Sequence, residues 1–223
     1  MHRKIITTKD GSKTIQIEEW DEVYHSKHGA IQEAQYVYIE KGLHHFIETN
    51  GLRSISILEM GFGTGLNSFL TLLEGERLNL IIKYHGVEAY PISQIELNHL
   101  NYVDLLSPDN NKFNEIHEVI WEQEVEISTN FKLVKRQQFF SKIKDDRQFN
   151  LIYFDAFGSR VQPELWSKDM FSRMYQALKP KGVLVTYAAI GVVKRHMIAL
   201  GFIVERLNGP PGKRHMLRAT KPE

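Results

Sequence analysis

Glu59, Gly61, Gly63 and Gly65 stand at alternate positions directly after the apolar run Ile-Ser-Ile-Leu at 55–58. This is how a buried parallel strand ends, turns tightly and opens a helix against a ligand. Glycine admits positive φ and lets the backbone come close to what is bound. The spacing separates classes of ligand. A dinucleotide loop reads G-x-G-x-x-G and offers the helix N-terminus to a pyrophosphate. Here the residue after Gly65 is Leu66, so the third glycine comes one place early. A carboxylate two positions before the first glycine also repels a pyrophosphate and suits a cationic ligand. A glycine turn without a ligand, or a different nucleotide, stays open as an alternative. A second carboxylate, Asp155, ends the apolar run 151–154. Burying a lone carboxylate is costly, so Asp155 needs a task or a partner. An alkylamine with a pKa near 10 is protonated at neutral pH and has no free lone pair. A carboxylate can hold such an ammonium, orient it and relay the proton lost as the nitrogen attacks an electrophile. The alternative is that Asp155 caps the following loop.

The elements that must position these groups alternate in type beyond residue 54. Strands are expected at 55–59, 81–88, 131–136, 151–155, 182–188, 202–206 and 214–219. Helices are expected at 66–74, 91–106, 139–144, 168–178 and 191–200. This alternation is the signature of an α/β fold with a parallel sheet flanked by helices. Lys179-Pro180-Lys181-Gly182 reads as a stop and turn. The first 50 residues do not follow the alternation: 15–20 reads as a strand and 32–46 as a helix, an extension packed over the ligand cleft. A single domain over 1–223 is expected, with 51–223 as its core.

In open α/β sheets the ligand lies beyond the carboxyl ends of the strands. Glu88, at the end of the second expected strand, can accept hydrogen bonds from both hydroxyls of a ribose. The E-x-G-x-G-x-G text resembles the first motif of class I methyltransferases, whose cofactor S-adenosylmethionine carries an ammonium and a sulfonium. That resemblance implies a Rossmann-like, seven-stranded sheet, parallel except for one antiparallel strand near the C-terminus. The third expected strand runs into Gln137 and Gln138, where many of the methyltransferases that the glycine loop resembles keep an acidic or amide side chain to read the adenine, although a solvated loop is equally consistent.

Composition narrows the chemistry. Cysteine is absent from the 223 residues, which excludes disulfides, thiolate zinc sites, a cysteine nucleophile and cysteine-held iron–sulfur clusters. No metal is expected. No apolar run reaches the length of a membrane span and no signal-peptide core opens the chain, so a cytoplasmic protein is expected. Net charge is only +1, but residues 194–223 hold seven Lys or Arg against two Glu. Such asymmetry fits a basic face for a polyanion, or an uneven solvated surface.

More specific text lies in several blocks: Asp21-Glu22-Val23-Tyr24, Gly29 to Glu33, Tyr36-Val37, Gly61 to Asn67, Val87-Glu88, Asp155-Ala156-Phe157 running on to Pro163-Glu164-Leu165-Trp166, Gly201-Phe202, and Gly212 to Arg218. Together these resemble the methyltransferase module of MnmC-type tRNA-modifying enzymes, over nearly the whole chain. The resemblance implies methyl transfer from S-adenosylmethionine to the 5-aminomethyl group of a wobble uridine in tRNA, usually 2-thiolated. It implies Asn67 in the cofactor site, with Glu33 and Tyr24 closing the pocket from the extension. It gives Lys213, Arg214, Arg218 and Arg160 the anticodon phosphates, and Phe157 and Trp166 the splayed base, with a core position as the alternative for Trp166. Many relatives carry a flavin-dependent oxidase after this module. The chain ends four residues after the last expected strand, so other enzymes are expected to supply the aminomethyl precursor. A small-molecule amine methyl- or aminopropyltransferase, or a cofactor-binding scaffold without catalysis, are the competing readings.

Overall fold

The computed structural model describes residues 2–107 and 111–223. The chain opens with β1 (Arg3–Thr7), β2 (Lys13–Ile17) and β3 (Glu22–Val23), an antiparallel three-stranded sheet. The strand expected at 15–20 is thus β2 shifted toward the N-terminus, and its last residues form a 3₁₀ turn, Glu18–Trp20. A continuous helix follows, made of α1 (Ala30–Ala34), a π-wound stretch (Gln35–His44) and α2 (His45–Asn50). Gly51 ends it in the left-handed region, its N–H bonded to the Ile47 carbonyl.

Next come β4 (Ser54–Met60), α3 (Leu66–Leu78), β5 (Ile81–Glu88), α4 (Gln94–Leu97), α5 (Tyr102–Leu106), α6 (Lys112–Glu118), β6 (Glu124–Ser128), β7 (Phe131–Gln137) and β8 (Phe149–Phe154). The chain closes with α7 (Lys168–Ala177), β9 (Leu178–Thr186), α8 (Gly191–Ala199), β10 (Ile203–Asn208) and β11 (His215–Thr220). The main sheet runs β10-β11-β9-β8-β4-β5-β7-β6. It is mostly parallel, with β11 antiparallel to both neighbours and β6 antiparallel to β7. All seven expected strands are present; β6 adds an eighth at the edge.

Alternation along the central strands sends side chains to two cores. Ile57, Leu151, Val183 and Met216 face the helix of residues 30–50, α3 and α6. Leu58, Ile152, Leu184 and Leu217 face α7 and α8. Both faces are therefore apolar, and polar function is confined to the strand ends.

Three expected elements differ. The helix at 91–106 splits into α4 and α5. Ser93 starts α4 with a capping box to Glu96, and Asn101 breaks the helical run. Its side chain accepts from the Lys13 N–H at 2.8 Å and donates to the Gly11 carbonyl at 3.0 Å. The helix at 139–144 is only a 3₁₀ turn, Phe140–Lys142. The expected turn at 179–182 lies inside β9, where the register against β8 slips between Phe149 and Leu151 and Lys181 takes φ 61°.

Candidate active site

The ends of β4, β5 and β8 meet at one edge of the sheet. Register places Met60 beside both Val87 and Phe154, and the Asp155 N–H continues the ladder to the Met60 carbonyl at 2.9 Å. Gly61 is required here by contact as much as by φ. A Cβ at this position, with φ 98°, would lie 2.5 Å from the Asp155 carbonyl oxygen. Gly65, with φ 73°, leaves room for the His117 ring of α6. The glycine loop thus admits neighbouring protein elements at both ends.

Above this edge lies a cavity of about 630 Å³. Its wall includes Gly61, Gly63, Asn67, Glu88, Asp155, Phe157 and Lys213 from the core, with Tyr24 and Glu33 from the N-terminal segment. These nine expected site residues are brought together. Asn67 is the pivot. Its Nδ2 donates to Glu59 Oε1 at 2.8 Å and to Asp155 Oδ2 at 2.9 Å. Its Oδ1 is buried without a partner. Glu88 accepts from the N–H groups of Gly63 at 3.0 Å and Tyr90 at 2.9 Å, pinning the glycine loop to the end of β5.

Burial pushes the Asp155 carboxyl up to about 6, opposed by the nearby Tyr38 hydroxyl, by the hydrogen bond from Asn67 and by the Lys213 charge. The Tyr38 hydroxyl faces Asp155 but falls short of well-formed hydrogen-bond geometry. Burial likewise holds Glu59, with no exposed surface, well above the usual carboxylate range. Glu33 accepts from the Ser26 N–H at 2.8 Å and from Lys213 Nζ. The Lys213 ammonium also lies 3.7 Å from the centre of the Tyr187 ring, and the Tyr187 hydroxyl donates to the Ala156 carbonyl at 2.8 Å.

Other expected site residues lie elsewhere. Glu59 is beneath the cavity and reaches it only through Asn67. Gly65 faces His117. Gln137 is the last residue of β7 and stays outside the cavity, its N–H bonded to Glu122. The chain enters the wall after leaving the sheet, at Phe139, Phe140 and Ser141. Trp166 is 3% exposed and packs on Phe154 and Phe171. Its Nε1 donates to the Phe157 carbonyl at 2.8 Å, so it supports the 155–157 loop from the core side. Arg160 is turned to Glu22 at 2.9 Å and the Trp20 carbonyl at 2.6 Å. Arg218 forks onto Glu205 at 2.9 and 3.1 Å. Arg214 is exposed, outside the cavity.

The sequence reading did not single out Tyr90, Phe139, Tyr187 or Tyr38. Tyr90 and Phe139 meet edge-on at 5.9 Å, each 55% exposed, although both are large aromatics. Their signal was available: an aromatic one or two residues past a strand end that carries a site residue. Tyr38 had none, because its place depends on the π winding of its helix.

A family model described as S-adenosyl-L-methionine-dependent methyltransferase matches residues 108–222, just over half the chain. The chain belongs to this family. Its cofactor is S-adenosyl-L-methionine. The match contains Asp155 and Lys213 but begins downstream of the glycine loop. Among curated relatives, the tRNA 5-methylaminomethyl-2-thiouridine biosynthesis bifunctional protein MnmC of Campylobacter fetus is 26% identical over 208 residues. That alignment covers 90% of this methyltransferase and 33% of the relative, so the chain spans about a third of the relative's length. Among solved structures, MNMC2 from Aquifex aeolicus has a TM-score of 0.81 at 24% identity, over 100% of this chain and 72% of that one. Spermidine synthase from Thermotoga maritima has a TM-score of 0.56 at 13% identity, over 98% and 70%. Both likenesses are of fold. Among the described residues, no helix of this methyltransferase is long and apolar enough to cross a membrane.

Proposed function

We propose that the protein methylates the nitrogen of an alkylamine on a nucleobase, the 5-aminomethyl group of a wobble uridine in tRNA, in the cytoplasm. The observation that carries this reading is Asp155, a carboxylate anchored on one oxygen by Asn67 at the wall of a large cavity. The MnmC relative is named for the biosynthesis of 5-methylaminomethyl-2-thiouridine in tRNA, the product that such a transfer would give.

The wall fits S-adenosylmethionine. Glu88 would take the ribose hydroxyls with the lone pairs that Gly63 and Tyr90 leave free, and Tyr90 and Phe139 would flank the adenine in place of Gln137. The unpartnered Oδ1 of Asn67 is an acceptor for the cofactor's ammonium. Gly61 and Gly63 would let that ligand lie against backbone, while Tyr24 and Glu33 would close the pocket. The cofactor, when bound, supplies a methyl group made electrophilic by its sulfonium. Asp155 would hold the substrate ammonium, align its nitrogen and take up the proton that must leave before attack. A carboxyl pKa of about 6 leaves it mainly ionised at neutral pH while bringing it closer to the amine in basicity. Phe157, edge-on to Trp20 at 5.8 Å and to Tyr24 at 5.0 Å, gives a flat base an aromatic wall.

The test is incubation with methyl-labelled S-adenosylmethionine and tRNA carrying 5-aminomethyl-2-thiouridine, followed by nucleoside analysis. Label is expected in 5-methylaminomethyl-2-thiouridine. Absence of label there, with label in a free amine such as putrescine, would replace the tRNA reading with a small-molecule one.

A further inference from the structure

We infer that the phosphate backbone of the tRNA docks on a rim built from Lys9, Lys27, His28 and Arg214, using the N-terminal sheet as much as the basic C-terminal stretch. This rests on the tRNA reading above. The structure removes most of the cations that the sequence offered. Lys213 is turned inward onto Glu33 and Arg218 is forked onto Glu205 with its side chain 11% exposed, while Arg160 stays exposed but is paired with Glu22 at 2.9 Å. Arg214 is exposed and, among the described residues, forms no ion pair.

Arg214 sits on the loop between β10 and β11, and that loop is packed on the N-terminal segment. A Cβ at Gly212 would lie 2.1 Å from the His28 ring, so only glycine lets the ring close on the loop backbone. His28 donates its N–H to Ser26 Oγ at 3.1 Å. One residue before it, the Lys27 carbonyl accepts from the Lys9 N–H at 3.1 Å. The turn after β1, the segment 26–28 and the loop 209–214 therefore form one continuous border. Lys9, Lys27 and His28 are all exposed on it.

Three carboxylates share this border: Glu33, already bonded to the Ser26 N–H and Lys213 Nζ, and two on the surface. Asp10 is occupied by Thr8 Oγ1 at 2.7 Å and the N–H groups of Ser12 and Gln32 at 3.0 Å. Asp21 lies 3.9 Å from the Lys27 ammonium, a loose surface pair that an incoming phosphate can displace. The same border reaches the cavity, since Ser26 and Lys213 form part of its wall. A base splayed into the cavity leaves its flanking phosphates at the mouth, and this rim is where exposed cations meet it. The other exposed basic residues of the C-terminal stretch, Arg195 on α8 and Arg206 on β10, belong to the sheet edge that β10 forms and do not line the cavity.

The experiment compares two charge reversals of equal size in the full chain, Lys9→Glu/Lys27→Glu on the rim and Arg195→Glu/Arg206→Glu on the β10 edge. Affinity for an unmodified tRNA transcript is measured by fluorescence anisotropy across a salt series, with S-adenosylmethionine affinity by calorimetry as a control for folding. The rim variant is expected to bind about tenfold or more weakly at low salt. Its log–log salt slope should be shallower by about 1.5, the value for two lost phosphate contacts. The β10-edge variant should stay within about twofold of wild type, and both should keep cofactor affinity. Equal losses in the two variants, or a loss confined to the β10 edge, would overturn the rim. A rim variant that also loses cofactor is re-made as Lys9→Ala/Lys27→Ala, for which an unchanged salt slope overturns the rim as well. Wild-type protein that binds tRNA no better than a neutral control overturns the tRNA reading and the rim together.

Discussion

One nitrogen, Nδ2 of Asn67, donates to Glu59 at 2.8 Å and to Asp155 at 2.9 Å, joining the end of β4 to the end of β8. The Asp155 charge adds to the rise that burial imposes on Glu59, and the amide is the donor that the two carboxylates share. Asn67→Leu removes that donor and leaves both acceptors buried. A loss of about 2–3 kcal/mol in urea unfolding at pH 7 is expected. The loss should be smaller at pH 5, where protonated carboxyls need the donor less. An equal loss at both pH values would mean that Asn67 acts only by packing.

Asp155 should trade stability for activity. Burial raises its carboxyl from the usual 3.8 to about 6 in the folded state. The folded protein therefore binds this proton more tightly than the unfolded chain does. The associated stability is present below about pH 4 and is lost as pH rises through 6. Asp155→Asn is expected to raise stability at pH 7 by about 1–3 kcal/mol, lower turnover by about 100-fold or more, and leave S-adenosylmethionine affinity nearly unchanged. Calorimetry showing lost cofactor binding would move Asp155 from the acceptor to the cofactor site.

The hydroxyl of Tyr38 opposes the rise of the Asp155 pKa. Tyr38→Phe should therefore shift the acid limb of the rate profile to higher pH, with the rate at pH 8.5 close to wild type. A uniform drop in rate at every pH would assign Tyr38 to shape alone.

Gly61→Ala forces an L side chain to φ 98° and against the Asp155 carbonyl at 2.5 Å. A stability loss of about 2–4 kcal/mol is expected in chemical denaturation, together with weakened cofactor binding. Normal stability with weakened binding would mean that this glycine serves the ligand alone.

The sheet was legible because β4 and β8 are apolar on both faces, which only a helix-covered parallel strand tolerates. Asp155 was legible for the same reason, as a charge where such a strand must stop, and Glu88 as the charge that closes the alternating strand β5. The N-terminal sheet was read only in part, since β1 and β3 are short and alternate weakly. The break at Asn101 was hidden because its partners, Gly11 and Lys13, are distant in sequence. Charge counting found the basic stretch around Lys213 but not its direction. Whether a lysine faces solvent or a buried Glu33 is decided by the packing of a loop, which residue type does not encode.

The π winding of Gln35–His44 has a consequence for the length of that segment. Each residue of an ordinary α-helix advances the next by about 100°, and π turns change the phase at which the following residues arrive. Two arrivals are constrained here: Tyr38 at Asp155, and Gly42 where a Cβ would meet Val185 at 3.0 Å. Losing one residue upstream of Tyr38 in this stretch would keep the helix and its apolar composition yet present different side chains at both contacts. The surroundings of the proton-accepting carboxylate are therefore set by a residue count in a distant helix, so a one-residue deletion is expected to do more harm there than most single substitutions.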